Sequence, residues 1–325
     1  MAEPERQTIS KRQLRPAPQL VSVVVPLYNE AANVETLLSA LVDVLEGLKY
    51  ELVLVDDGST DGTFDQIERL SDEYGGIVAV RLARNFGHQS ALEAGMATAS
   101  GQVVITMDGD MQHPPSLVPV LIQKWREGFN VVQTRRKDTK KVPFTKRLAS
   151  RAFYRVFKSL CGVELQPGMA DFRLVDKSVL DQVQKLDEGE MFLRGLIAWM
   201  GYEQAVVPFE VGDRSGGESK YTLRKMIHLA KTGLFSFSSL PLRISTRLGL
   251  LMALLAGAEF VYVIIVYFRG TVVPGWASTT AVLSALFAIL FVLMGIQGEY
   301  IYRIYQRVRR RPTYLVAKIV RSLDE

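Results

Sequence analysis

The chain has 325 residues, of which 48% are hydrophobic and 22% are charged, so it is long enough for one large domain with an appendage. Lysine and arginine number 39 against 34 acids, and the resulting net charge of +5 is too small by itself to indicate nucleic-acid binding. The single cysteine, Cys161, excludes an intramolecular disulfide and a multi-cysteine zinc site, and it fits a reducing compartment.

Residues 1–19 are polar and lack the apolar core of a signal peptide, so we expect a flexible arm there. Strand-like and helix-like segments then alternate, because short β-branched runs are separated by stretches with apolar residues at helical spacing. The predicted strands are Val21–Leu27, Glu51–Val55, Ile77–Leu82, Gln102–Met107 and Asn130–Gln133. The predicted helices are Glu30–Leu48, Thr63–Tyr74, Ser90–Ala99 and Ser116–Glu127. This alternation predicts an α/β fold with a parallel sheet covered on both faces, whose ligands bind beyond the carboxyl ends of the strands.

The pattern is less regular after residue 133. The segments predicted there are a basic loop over Lys137–Lys146, a helix over Arg147–Leu160, a strand starting at Asp171–Leu174, a helix over Phe192–Met200 and a strand over Val206–Val211. The basic segment Leu223–Leu234 is amphipathic, which is typical of a surface helix or, beside a membrane, of a helix lying at the headgroups.

Two long apolar segments, Leu248–Phe268 and Ser278–Ile296, are each long enough to cross about 30 Å of hydrocarbon. The alternative is a buried hairpin in a soluble protein, but Trp276 and Tyr300 stand where interfacial aromatic residues belong. The short connection Arg269–Ala277 predicts a tight two-helix transmembrane hairpin.

Basic residues lie on the outer sides of this hairpin, whereas the connection between the two segments carries only Arg269. The outer basic residues are Arg243, Arg247, Arg303, Arg307, Arg309, Arg310 and Arg311. The positive-inside rule therefore predicts that the large domain and both termini are cytoplasmic, with residues 299–325 as a basic tail. Glu259 lies within the first span, where it serves either as a structural hydrogen-bonding group or in function.

The segment Asp108–Asp110 places two carboxylates, with one glycine between them, directly after a predicted buried strand. Such a pair can reach one divalent cation, and nucleotide diphosphates are held through such a cation. An Asp-x-Asp is also a common polar turn, but here Gln112 adds a carbonyl oxygen as a further ligand. The sequence therefore predicts a Mg²⁺ or Mn²⁺ site formed by Asp108, Asp110 and Gln112. For His113, which precedes a proline and a helix start, a capping or supporting role is favoured over metal ligation.

A second acidic turn, Asp56–Gly62, follows the second predicted strand. It either caps the next helix or supplies a carboxylate to a nucleobase or ribose. The Gly-x-Gly-x-x-Gly fingerprint and the Walker lysine loop are missing from the sequence, so nicotinamide and ATP chemistry lack their usual phosphate cradle. We therefore expect a metal ion to bind the phosphate groups.

The motifs taken together resemble glycosyltransferase family 2. They are Val23–Glu30, Asp56–Gly62, Asn85–Gln89 and Asp108–Pro114, and the motifs Asp171–Leu174, Phe192–Gly195 and Gly217–Tyr221 are similar to its polyprenyl-phosphate branch. That branch includes dolichyl-phosphate mannosyltransferase and the bactoprenol glucosyltransferases, and the two-span end of the chain resembles the bactoprenol type. The resemblance implies a GT-A catalytic domain over residues 20–221, juxtamembrane helices over 222–247 and a hairpin over 248–298.

The resemblance also implies a set of site residues. Pro26, Tyr28, Glu30 and Asp57 hold the nucleoside, Arg173 contacts the donor phosphates, and Asp108, Asp110 and Gln112 hold the metal and diphosphate. Arg135, Lys146, Arg147 and Ser150 meet the acceptor phosphate. Asp171 joins Asp108 and Asp110 among the catalytic residues, either as a base or as a carboxylate that orients the acceptor, and the alternative for it is an ion pair with Arg173.

The expected function is the inverting transfer of a hexose, glucose by preference, from UDP-glucose to undecaprenyl phosphate at a bacterial inner membrane. Other sugars, such as mannose or a modified arabinose, stay open. A processive polysaccharide synthase is disfavoured because its Gln-x-x-Arg-Trp motif is missing from the sequence, and so are the further spans that form its channel. A scaffold that binds nucleotide sugar without turnover is disfavoured by the intact acidic motif. We also expect a homo-oligomer, with a tetramer as one arrangement, and no nucleic-acid partner.

Overall fold

The computed structural model describes residues 14–137, 168–186, 193–210, 240–269, 275–309 and 311–322. The chain divides into two compact units. The first contains an α/β sheet and includes the C-terminal segment Pro312–Glu325, whereas the second contains two long helices.

The described residues of the first unit form one eight-stranded sheet. Its strands are β1 (Val21–Leu27), β2 (Tyr50–Asp56), β3 (Ile77–Leu82), β4 (Val103–Thr106), β5 (Val131–Arg136), β6 (Met169–Asp176), β7 (Gln204–Phe209) and β8 (Val316–Arg321). The strand order is β7-β5-β6-β4-β1-β2-β3-β8. Strands β1 to β4 are parallel, β6 runs antiparallel to both β4 and β5, and β7 is parallel to β5. The carboxyl ends of β1, β2, β4 and β5 therefore lie at one edge of the sheet.

Helices cover both faces of the sheet. They are α1 (Ala31–Leu45), α2 (Thr63–Glu73), α3 (His88–Thr98), α4 (Val118–Arg126), α5 (Lys177–Lys185) and α6 (Leu193–Trp199). Successive residues of a strand point to opposite faces, so Val23 belongs to a core cluster that includes residues of α1, α2 and α4, while Val24 belongs to one that includes residues of α3, α5 and α6. Because both faces are covered, β1 and β2 read as continuous apolar runs.

The fold class predicted from the sequence is confirmed. Strands β1 and β3 match their predicted bounds, and the other predicted strands and helices that lie within the described residues differ by a few residues at their ends. The helix predicted from Ser116 opens with a 3₁₀ turn, Pro115–Leu117, before α4. The segments predicted over 138–146, 147–160 and 223–234 lie outside the described residues.

The sequence analysis missed helix α5 and strand β8. Residues 299–325 were expected to form a basic tail, but β8 pairs antiparallel with β3 in the sheet. Lys318 of β8 forms an ion pair with Glu68 and lies 5.7 Å from the centre of the Phe64 ring, so its stem covers α2. Without β8, the backbone groups of β3 along this edge would lack a strand partner.

The second unit contains α7 (Leu240–Phe268) and α8 (Trp276–Val308). Both are long and apolar enough to cross a membrane, with candidate spans at Pro241–Tyr262 and Ala285–Tyr302. Large apolar side chains face outward, because Phe260 and Phe291 are each 67% exposed. Such surfaces are costly in water and suit a bilayer. The side chain of Glu259 lies outside the described part of the chain.

Candidate functional site

Two turns at the carboxyl edge of the sheet are held together by hydrogen bonds. After β1, Asn29 adopts φ +54°, its backbone N–H donates to Ser59 Oγ at 2.9 Å, and its Oδ1 accepts from the Thr60 N–H at 3.0 Å. Tyr28 is 47% exposed on this turn, whereas Pro26 is buried within β1. The Oε2 of Glu30 accepts from Asn33 Nδ2 at 2.6 Å. Of the residues predicted to bind the nucleoside, Tyr28 and Glu30 thus lie on this turn, where Tyr28 is the more accessible, and Pro26 lies in the strand before it.

Asp57 joins the turn after β2 to the loop before α3. Its two carboxylate oxygens accept from the backbone N–H groups of Phe86 at 2.7 Å and Gly87 at 2.9 Å. Burial raises the pKa of Asp57, while these two hydrogen bonds act in the opposite direction. Its carboxylate therefore fixes the loop that carries His88, and its predicted contact with a nucleoside would add to that role.

We expect Asp57→Asn to lower the stability of the folded protein by about 1–3 kcal/mol, because an amide has one acceptor oxygen where two N–H donors need partners. Thermal unfolding of the detergent-solubilised protein measures the change. The matched control is Asp43→Asn, since Asp43 is exposed on α1. Equal melting temperatures for the two variants would show that the Asp57 carboxylate does not hold this loop.

The predicted metal residues follow β4 in one tight turn. Asp108 Oδ1 is buried without a hydrogen-bond partner, and His88 Nε2 lies 3.4 Å from it. Asp110 is exposed, and its Oδ1 accepts from the Gln112 N–H at 3.1 Å. Gln112 Oε1 in turn accepts from Arg136 Nη2 at 2.9 Å. The sequence-predicted group of Asp108, Asp110 and Gln112 is therefore brought together.

The turn after β4 combines a partly buried carboxylate, Asp108, with a glycine, Gly109, that lies against β1. Burial raises the pKa of Asp108, although His113 and His88 oppose that effect, so the ionised carboxylate lacks full compensation. Gly109 sits against β1, and a Cβ added there would lie 2.3 Å from Leu27 Cδ2. A larger residue there would require the Leu27 side chain to move.

These residues fit a hard divalent cation. Within the described ranges, no cluster of three or more His, Cys, Asp or Glu side chains is arranged to hold a metal by itself. The two carboxylates and the Gln112 carbonyl leave coordination positions for oxygens of a bound diphosphate, as Mg²⁺ and Mn²⁺ sites commonly require. The buried, partnerless Oδ1 of Asp108 is the atom that such a cation would satisfy.

Asp171 and Arg173 lie on β6, beside the metal turn. Arg173 has no exposed side-chain surface, and its Nη2 forms an ion pair with Asp171 Oδ1 and donates to the Ala170 carbonyl at 3.2 Å. The guanidinium of Arg173 is thus buried and paired with Asp171, and its predicted contact with donor phosphates stays a prediction. The structure contains the ion pair that was the alternative for Asp171, and the role of Asp171 as a base or an acceptor-orienting carboxylate stays a prediction.

The predicted acceptor-phosphate residues are only partly described. Arg135 is exposed at the end of β5, but its neighbour Arg136 is the one that contacts Gln112. Adjacent strand residues point to opposite faces, which separates the two arginines. Lys146, Arg147 and Ser150 lie outside the described residues.

Two site residues were missed by sequence reasoning. His88 Nε2 lies 3.4 Å from Asp108 Oδ1 and 4.0 Å from Asp171 Oδ2, so it bridges the two carboxylates. Its signal was the Asn85–Gln89 motif at the start of a helix. Arg136 could have been found from its place at the end of a strand that leads to the same edge.

His113 does not act as a ligand through Nδ1, because that atom accepts the backbone N–H of Asp108 at 3.0 Å. Burial lowers the pKa of His113, so the neutral imidazole is favoured. The supporting role expected from the sequence agrees with this contact.

The family model and the related sequences that match this chain are all glycosyltransferases. The model of glycosyl transferase family 2 matches residues 22–183. The chain is 38% identical over 302 residues to an uncharacterized glycosyltransferase of Synechocystis, covering 92% of this chain and 95% of that protein. It is 33% identical over 301 residues to a bactoprenol glucosyl transferase of Shigella phage SfV, covering 91% of this chain and 97% of that protein.

Two solved structures with a similar backbone fold are glycosyltransferases. A Pyrobaculum calidifontis mannosyltransferase in complex with GDP-Man and Mn²⁺ is 19% identical, with a TM-score of 0.47, covering 90% of this chain and 85% of that one. A Mycobacterium tuberculosis glucosyl-3-phosphoglycerate synthase in complex with Mn²⁺, UDP and its glucosylated product is 21% identical, with a TM-score of 0.45, covering 72% and 84%.

Proposed function

The chain belongs to glycosyltransferase family 2, and from this premise we propose that it transfers a hexose, glucose by preference, from UDP-glucose to undecaprenyl phosphate. The observation that carries this proposal is the extent of the likeness to the phage bactoprenol glucosyl transferase. It covers 97% of that protein and 91% of this chain, so it includes the apolar helices as well as the sheet. A lipid acceptor accounts for a catalytic domain and two candidate membrane spans in one chain.

In the proposed reaction, Asp108, Asp110 and Gln112 hold Mg²⁺ or Mn²⁺. When bound, this cation neutralises charge on the diphosphate and so assists departure of the nucleotide. Tyr28, Glu30 and Asp57 face the nucleoside, with Pro26 shaping β1 beneath them. Gly109 and Met111 lie in the turn that carries these three metal residues.

The acceptor needs little activation, because a lipid phosphate is already an anionic nucleophile near neutral pH. Attack of its oxygen on the anomeric carbon, opposite the departing nucleotide, inverts the configuration at that carbon. A base is not required, which fits an Asp171 carboxylate paired with the enclosed Arg173. The acceptor phosphate brings further negative charge beside the diphosphate, so cations must offset the repulsion. We assign that role to Arg135 together with Lys146 and Arg147, with Ser150 as a hydrogen-bonding group.

For the membrane arrangement, we propose that α7 and α8 span the bilayer and that the catalytic domain lies on the cytoplasmic side. Support comes from the basic residues on the outer flanks of the hairpin. Support also comes from β8, because residues that follow the second span belong to the same sheet as residues that precede the first. A homo-oligomer formed through the hairpin is part of the same proposal.

The test is incubation of the purified, detergent-solubilised protein with labelled nucleotide sugars, undecaprenyl phosphate and Mg²⁺ or Mn²⁺. We expect label from UDP-glucose in the organic phase, and none after chelation of the metal. Label from GDP-mannose or another donor instead would retain the reaction class and change the sugar. The proposal is wrong if no donor yields a lipid-linked product.

A further inference from the structure

His113 is a buried polar residue whose ring the proposed reaction does not use. Its side chain is 4% exposed, although it lies within the segment that carries the metal residues. The imidazole stacks on Phe172, with ring centroids 5.2 Å apart and planes at 25°, and meets Phe209 edge-on at 5.8 Å. Phe172 and Phe209 also contact each other edge-on at 6.4 Å. The three rings thus join the metal turn to β6 and to the end of β7.

The hydrogen bond from Asp108 to His113 lies where β4 leaves the sheet. The Met107 N–H still donates to the Val24 carbonyl of β1 at 3.1 Å. At the next residue the chain turns away, and the Asp108 N–H donates instead to His113 Nδ1 at 3.0 Å. The imidazole therefore replaces the strand partner that this backbone group has lost, and fixes the peptide plane from which the Asp108 carboxylate projects.

The turn between Asp108 and His113 needs such support because its own conformation is unfavourable. Met111 adopts φ +58°, a region that L residues other than glycine, asparagine and aspartate rarely occupy. Its side chain is 38% exposed, so burial contributes little to holding it there. Asp110 and Gln112, which hydrogen-bond at the turn, are on its exposed side, whereas His113 is the residue of this segment that packs on aromatic rings of the sheet.

We propose that His113 is the positioning residue of the metal turn. Its Nδ1 sets the direction of the Asp108 carboxylate, and its ring ties that carboxylate to Phe172, the neighbour of Asp171 on β6. The cation-binding turn and the Asp171 strand consequently move as one body. This inference rests on the proposed function only for the identity of the ligand, a divalent cation with a nucleoside diphosphate.

Two substitutions separate the acceptor from the ring. His113→Phe keeps an aromatic ring against Phe172 and Phe209 but removes the acceptor atom. His113→Asn places an amide oxygen near the position of Nδ1 but removes the ring. If the acceptor sets the carboxylate, His113→Phe weakens the affinity for Mn²⁺ by about tenfold, the value of one hydrogen bond, whereas His113→Asn largely preserves it.

The measurement is the dissociation constant of Mn²⁺ in the presence of UDP, obtained by electron paramagnetic resonance on the full-length, detergent-solubilised protein. Thermal unfolding of the same samples shows that the variants remain folded. Weakened binding in His113→Phe with affinity near that of the wild type in His113→Asn is the expected result. Unchanged binding in His113→Phe overturns the inference, and so does equal weakening in both variants, because packing alone would then account for the effect.

This readout is independent of sugar transfer. Wild-type protein that binds Mn²⁺ with UDP but forms no lipid-linked sugar would contradict the proposed function and leave the role of His113 intact. If the wild-type protein forms the lipid-linked sugar and the His113→Phe variant binds Mn²⁺ normally, the role of His113 is contradicted and the proposed function is retained. Wild-type protein that binds no Mn²⁺ in the presence of UDP would overturn both.

Discussion

Asp108→Asn is expected to lower the rate of sugar transfer by about 10²–10³-fold, the usual cost of removing one group that stabilises developing charge. The substitution keeps the size of the side chain and removes its negative charge. Asp108 Oδ1 is buried without a hydrogen-bond partner, and in the proposed reaction we assign its charge to a bound cation. The initial rate at saturating metal, with labelled UDP-glucose and undecaprenyl phosphate, measures the loss.

Asp43→Asn is the matched control for this substitution, because it removes the same charge from the exposed surface of α1. We expect its transfer rate to stay within about twofold of the wild type, since surface changes away from a site have small effects. Raising the Mn²⁺ concentration should restore part of the Asp108→Asn activity if weaker metal binding contributes to the loss. A rate for Asp108→Asn close to that of Asp43→Asn would remove Asp108 from the metal site.

Gly58→Ala is expected to destabilise the catalytic domain by about 2–5 kcal/mol, from a left-handed backbone that alanine disfavours and from steric overlap. Gly58 has φ +69°, and a Cβ there would lie 2.5 Å from the carbonyl carbon of Arg84 and 2.7 Å from the Asn85 nitrogen. Backbone atoms cannot rotate away as a side chain can, so the loop that Asp57 holds must move. We expect the melting temperature to fall by roughly 5–15 °C.

Gly47→Ala separates the two causes. Gly47 has φ +78°, similar to that of Gly58, but no atom lies within 4 Å of the position its Cβ would take. It therefore bears the conformational cost without the overlap, which we expect to be about 1–2 kcal/mol. Melting temperatures that fall equally in both variants would show that the close approach between Gly58 and Arg84 does not constrain the fold.

The sheet and the metal turn could be predicted because their signals are local. An apolar, β-branched run such as Val21–Leu27 is typical of a strand that is covered on both faces. In the structure this strand has the bounds that the sequence predicts. Parallel strands bring their carboxyl ends to one edge, so the sequence places Asp57 and Asp108 at the same edge of the sheet. The structure agrees, because β2 and β4, the strands that they follow, both run parallel to β1.

The role of Arg173 could not be predicted because its burial depends on non-local pairing. Strand β6 pairs with β4 on one side and with β5 on the other, and on this strand the Arg173 side chain is buried and paired with Asp171. A sequence motif places Arg173 near the site but does not show whether its charge faces a ligand or a neighbouring carboxylate.

Strand β8 and His113 were missed or underestimated for the same reason. Strand β8 contains charged residues between its valines, which weakens the strand pattern. Its partner β3 is distant in the sequence, because both candidate membrane spans lie between the two strands. His113 resembled a helix cap because prolines follow it. Its stacking partners Phe172 and Phe209 come from strands whose sequences give no hint of a shared ring cluster.

His88 was missed because of an error in a helix boundary. Helix α3 was predicted to start at Ser90, but it begins at His88, after a glycine with φ +96°. The earlier start places the His88 imidazole on the first turn, against Asp108 and Asp171. An error of two residues at a helix end was enough to remove a residue from the predicted site.

The most direct test of a phosphate acceptor compares undecaprenyl phosphate with undecaprenol in the same transfer assay, at equal concentration and with Mn²⁺ and labelled UDP-glucose. The two lipids share the chain and differ in the phosphate that we propose as the nucleophile. We predict labelled lipid only with undecaprenyl phosphate, and a product that mild acid hydrolyses to free glucose. Equal labelling of undecaprenol, or label that appears only in water-soluble glycans, would contradict the proposal.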